Sequence, residues 1–162
     1  LGGPLAASEA QAEAEAQSRL QAQAQTKAAS CTADDFARAV DASAASLRAF
    51  NAEQSPKLQA ALKRLKEKKG WKGANADDLA YAFLQDARMQ SLDQQANELY
   101  VNIDGLGQTP SDGPLDCSRL TELRAASSER LAVMRAKAAH SLQKIDAGVG
   151  GTAASPRVSA LK

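Results

Sequence analysis

The side chains able to do chemistry in this chain are few and far apart. His140 is the only histidine, so no pair of imidazoles can build a metal set or a proton relay. It sits beside Ala138 and Leu142 on an apolar helical stripe, where a lone His reads as a partly buried or surface polar residue. Di-iron bundles need Glu and Glu-x-x-His ligands projecting inward, and a c-type haem needs C-x-x-C-H. Neither pattern occurs, nor does any G-x-S-x-G, H-E-x-x-H, P-loop or G-x-G-x-x-G run. Gly105-Leu106-Gly107 follows a helix, the wrong context for a dinucleotide loop. The pairs Asp34/Asp35 and Asp77/Asp78 could attract Ca²⁺ weakly. Each also stands just after a helix start, where a carboxylate complements the positive end of the helix dipole. The reading is therefore a non-enzymatic protein with no catalytic residue, no metal and no cofactor.

One charge run stands out. Lys57, Lys63, Arg64, Lys66, Lys68, Lys69 and Lys72 surround a single Glu67, with Trp71 near the end. Clustered cations beside an aromatic can hold an anionic surface: phospholipid head groups, a polyanion or an acidic partner. The expected binding set is Lys63, Arg64, Lys66, Lys68, Lys69, Trp71 and Lys72. The plain alternative is a solvated helix end, where cations suit the negative pole of the dipole and Trp71 covers the end of a bundle. The net charge is only +1 over 162 residues, so no global field selects a nucleic acid, and no specific nucleic-acid partner is expected.

Cys31 and Cys117 are the only cysteines, and there is no C-x-x-C. Leu1 to Ala12 looks like the tail of a secretory signal peptide, with small and apolar residues leading to Ala10-Gln11-Ala12, an A-x-A cleavage pattern. In an exported protein the economical reading of two distant cysteines is one disulfide. A periplasmic or secreted location is expected. No apolar run reaches the ~20 residues needed to span a bilayer.

These groups must be placed by helices. Ala, Leu, Gln, Glu, Lys and Arg dominate, aromatics are 4%, and no alternating strand pattern occurs, so the class is all-α. Thr32-Ala33-Asp34-Asp35 and Asn75-Ala76-Asp77-Asp78 read as helix starts. Phe36, Val40, Ser43, Leu47 and Phe50 recur at helical spacing, as do Leu58, Leu62 and Leu65 one position out of register. A central helix over 76–105 carries Leu92, Ala96, Leu99, Ile103 and Leu106 as its seam, with Leu79, Phe83 and Ala87 on a slightly rotated face. Leu120, Leu123, Ser127, Leu131, Met134, Ala138, Leu142 and Ile145 line a last helix over 117–147, capped by Asp116 or Ser118 and ended by Gly148, Gly150 and Gly151.

Two packings compete. If Pro56 kinks the first helix, three long antiparallel helices (32–69, 76–105 and 117–147) form, and the first and third begin at the same end. If Pro56 turns the chain back, four helices form and those two beginnings lie some 30 Å apart, beyond the ~7 Å between Cα atoms that a disulfide allows. Pairing of Cys31 with Cys117 therefore favours three. The chain divides into a leader (1–30) that is disordered or a frayed helix, a bundle (31–147) and a disordered tail (148–162). Small residues such as Ser43 and Ser127 in the seams leave room for pairing with a second copy. The functional expectation is an exported bundle that binds a partner protein or an envelope surface. The alternative is a polyanion or anionic-membrane module built on Lys57–Lys72.

Overall fold

The computed structural model describes residues 15–19 and 30–150. Residues 15–19 are helical and exposed. The expected signal-peptide remnant, the rest of the leader and the tail from residue 151 lie outside the described residues. Four helices follow: α1 (Ala33–Lys69), α2 (Ala76–Leu84), α3 (Ala87–Gly107) and α4 (Cys117–Gly150). The fold is an all-α bundle.

Helix α1 opens on Thr32, whose Oγ1 accepts from the Asp35 backbone N–H at 3.2 Å while Asp35 Oδ2 accepts from the Thr32 N–H at 2.8 Å. This reciprocal capping box satisfies two otherwise orphaned donors. The helix then runs 37 residues and continues unbroken past Pro56. Proline cannot donate to the carbonyl one turn back. Here Ala52, Ser55 and Pro56 are all exposed, so water can serve the freed carbonyl and the helix continues. The reversal at Pro56 does not occur. At Gly70 the backbone turns left-handed (φ 69°, ψ 21°), with Gly70 N–H donating to Glu67 O and Trp71 N–H to Lys66 O. This double bond pattern needs a residue that accepts positive φ, hence glycine.

The central helix departs from the expected single element over 76–105. It breaks at Gln85-Asp86, where both residues are extended (φ −77°, ψ 120°; φ −148°, ψ 177°). Asp86 ends one helix and starts the next, its Oδ1 accepting from Met89 N–H at 2.7 Å. Freed from α3, α2 buries Ala76, Ala80 and Leu84. The expected Leu79–Phe83–Ala87 face is not the packed one: Leu79 and Ala87 are exposed, and Phe83 is half-buried. Asn75 makes no side-chain cap.

Helix α4 starts with Asp116, which accepts from both the N–H and the Oγ of Ser118 (3.0 and 2.6 Å). It does not stop near 147 but continues through Gly148 to Gly150. Gly148 lies where a Cβ would sit 2.8 Å from Phe83 Cζ and 3.0 Å from Leu65 Cδ1. The missing side chain lets α4 extend beneath α1 and α2.

The disulfide Cys31–Cys117 joins the starts of α1 and α4, with Cα atoms 5.7 Å apart. These two helices therefore run parallel, and α3 returns antiparallel between their ends. The spatial centre is α4, which packs along both α1 and α3, whereas α1 and α3 meet only sparsely. At the disulfide end, Phe36 of α1, Ile103 and Leu106 of α3, and Leu120, Leu123 and Ala126 of α4 form one core. At the opposite end, Ala61 and Leu65 of α1 join Leu84 of α2 and Ile145 of α4. Between them Leu92, Ala96 and Val133 unite α3 with α4 alone. The bundle is closed at both ends and open between α1 and α3 in the middle.

Candidate functional site

Three places could carry function: the basic end of α1, a polar clasp at the α2–α3 break, and the cleft between α1 and α3.

At the basic end the expected residues separate into two groups. Lys66 Nζ pairs with Asp77 at 2.6 Å, and Arg64 reaches Asp146 at 3.8 Å. Both partners belong to other helices, so these cations tie α1 to α2 and α4. Trp71 is half-buried against the Leu65–Ile145 core and meets the Phe83 ring edge-on, centroids 6.2 Å apart. It covers that end of the bundle. Lys69 and Lys144 each lie over the Phe83 ring, at 5.7 and 5.5 Å. Lys57 pairs with Glu53, one turn back. Lys63, Lys68 and Lys72 are exposed and have no carboxylate in ion-pair range among the described residues. At 100° per residue, positions 63, 64, 66, 68 and 69 fall on every side of the helix. The cations ring the tip rather than line one face.

The clasp is centred on Asp86. Besides capping α3, its carboxylate takes Lys144 Nζ at 2.9 Å and His140 Nε2 at 2.8 Å. The Met89 N–H, then Lys144, then His140 hold the Asp86 carboxyl well below its usual range. His140 thus has a polar partner on another helix, and Asp86 is its only hydrogen-bond partner among the described residues. The arrangement fastens the helix break to α4. Among the described residues no three His, Cys, Asp or Glu side chains come together as a metal set. Asp34 pairs with Arg38, and Asp35 with Thr32, consistent with cap and dipole roles.

The cleft between α1 and α3 has a volume of about 460 Å³. Val40, Leu47 and Ile103 form its apolar walls, with the small Ser43 and Ala44 opening space between them. Gly107 closes one end: a Cβ there would lie 2.8 Å from Val40 Cγ2. Arg130 enters from α4, its guanidinium 5.0 Å from the Tyr100 ring centroid. Arg130 Nε is buried with no hydrogen-bond partner among the described residues, a loss usually costing about 1–3 kcal/mol or more for a charged group. Arg48 and Asp104 also line the cleft, and no ion pair among the described residues involves any of the three. Sequence reasoning singled out neither arginine. Both are isolated from the basic run, and only the packing of three helices brings them to one opening. Of the seam serines, Ser127 is satisfied within α4, donating to Leu123 O at 2.8 Å.

No family model, curated protein or solved structure matches this chain. No helix among the described residues is long and apolar enough to cross a membrane.

Proposed function

We propose that this is a non-enzymatic, exported helical-bundle protein that acts by binding an anionic envelope surface through the tip of α1. The observation that carries the reading is the set of exposed lysines at that tip, Lys63, Lys68 and Lys72, without counter-ions among the described residues and beside the aromatic pair Trp71 and Phe83. Lys69, already held over Phe83, adds a fourth cation. The disulfide supports export, because such bonds persist in oxidising compartments. The expected set thereby narrows: Arg64, Lys66 and Trp71 position the tip, and the outward lysines make contact.

The test is co-sedimentation of the oxidised protein with phosphatidylglycerol-containing vesicles at low and high salt. Each lysine near an anionic surface contributes about 1 kcal/mol. Replacing Lys63, Lys68 and Lys72 together by Ala should therefore weaken partitioning roughly 100-fold, since about 1.4 kcal/mol is tenfold. Binding should also fall steeply with salt. If the unsubstituted protein fails to bind at low salt, the reading is wrong.

A further inference from the structure

We propose that the cleft between α1 and α3 is a binding site for an amphiphilic carboxylate: one anionic head on an unbranched apolar chain. The site is separate from the basic tip, and the inference does not depend on what the tip binds.

Charge is the first argument. Arg48 on α1 and Arg130 on α4 open onto the same cleft. The N–H groups of a guanidinium form a planar fork that matches a carboxylate. Here neither arginine has an ion-pair partner among the described residues, and the Nε of Arg130 is both buried and unsatisfied. The Tyr100 ring lies 5.0 Å from the Arg130 guanidinium and holds it from one side. Asp104 is the one carboxylate in the lining. It tunes the site against dianions, favouring a singly charged head.

Shape and polarity are the second argument. Beyond the arginines the walls are Val40, Leu47 and Ile103, apolar surface continuous with the cleft. A volume of about 460 Å³ falls within the range of small-molecule sites. The opening follows from the architecture. Helices α1 and α3 both rest on α4 and separate between the two end cores, and Ser43 and Ala44 leave the space unfilled. A chain lying there would cover the apolar walls while its head met the guanidinium groups of Arg48 and Arg130. This commits the site to one ligand chemistry, with an acidic partner peptide as the competing occupant.

The experiment titrates the full-length oxidised protein with dodecanoate, below its critical micelle concentration, by calorimetry and by amide chemical shifts. Saturable one-to-one binding is expected, with shifts centred on residues 40–48 and 100–108. Dodecanol, which keeps the chain and loses the charge, should bind at least about tenfold more weakly. Arg130→Gln should weaken dodecanoate about 10- to 100-fold. If Arg130→Gln does not fold, Arg48→Gln at the rim should still weaken binding. Ala44→Phe, which fills the cleft and keeps both charges, should abolish it. The triple alanine variant of Lys63, Lys68 and Lys72 should bind dodecanoate as the unsubstituted protein does, which separates this site from the tip. No binding, equal affinity for dodecanol, binding insensitive to all three cleft variants, or selective capture of an acidic amphipathic peptide in place of dodecanoate overturns the proposal.

Discussion

Reducing the Cys31–Cys117 bond should remove a large share of the stability of this fold. The bond joins residues 86 apart in sequence. In the chain-entropy model, closing a loop of that length lowers the entropy of the unfolded chain enough to stabilise the fold by about 4.6 kcal/mol at 25 °C. Domains of this size have total stabilities of roughly 5–15 kcal/mol. The loss is therefore felt globally, although the sulfurs touch only the core at one end, around Phe36 and Leu120. Urea titration followed by circular dichroism at 222 nm, with and without dithiothreitol, measures it. With a slope of about 1–3 kcal/mol per molar urea, the midpoint should fall by roughly 1.5 to 4.5 M. The double variant Cys31→Ala, Cys117→Ala should match the reduced protein. A fall of less than about 0.5 M would mean that the unfolded chain is not constrained as assumed. Two free thiols in the native, non-reduced protein would remove the premise.

Two further perturbations probe the packing. Gly148→Ala should lower the stability by a net of about 1 kcal/mol, because overpacking against Phe83 and Leu65 costs about 1–3 kcal/mol and outweighs the gain in helix propensity. Gly105→Ala meets no atom within 4 Å and should instead raise stability by about 0.5–1 kcal/mol; equal responses at the two glycines would contradict the packing described. Asp86→Asn keeps a side-chain acceptor for Met89 N–H but loses the charge that faces Lys144 and His140. Because the folded state holds the Asp86 carboxyl below its usual range, its contribution is present above that range and is lost as pH falls through and below it. The gap in urea midpoint between the unsubstituted protein and Asp86→Asn should therefore be wide at pH 5 and shrink by pH 2. A gap constant across that window would rule out the carboxylate as its source.

Local signals and one long-range constraint carried most of the architecture. Thr32 with Asp35, and glycine at position 70, mark the ends of α1 by chemistry that depends only on neighbours in sequence. The seam of α3, with Leu92, Ala96, Ile103 and Leu106 buried, follows from spacing alone. The choice of three long helices over four came from cysteine geometry, and the path of α1 through Pro56 agrees with it. The break at Asp86 was harder to read. An aspartate flanked by good helix formers has weak local preference, and only Lys144 and His140, more than fifty residues away, make the extended conformation worthwhile. The rotated face of Leu79 and Phe83 was its one visible trace. The basic run was obvious in sequence, but its division into structural and outward cations depends on Asp77 and Asp146 arriving from other helices. Arg48 and Arg130 left no sequence signal at all, since what marks them is their meeting at one cleft between helices.

The central position of α4 also bears on the order in which the protein can fold as it is made. Helices α1 and α3 leave the ribosome first, yet they have little surface for one another. Each of the three cores includes residues of α4: Leu120 and Leu123 in one, Val133 in the second, Ile145 in the third. Until residues 117–150 emerge, the earlier helices have nothing to bury their seams against, and isolated helices of their length are marginal in water. Cys31 waits as a free thiol for the same interval. Packing of the bundle is thus held back until residues 117–150 have been made, so the fold forms around its last described helix rather than growing from its first.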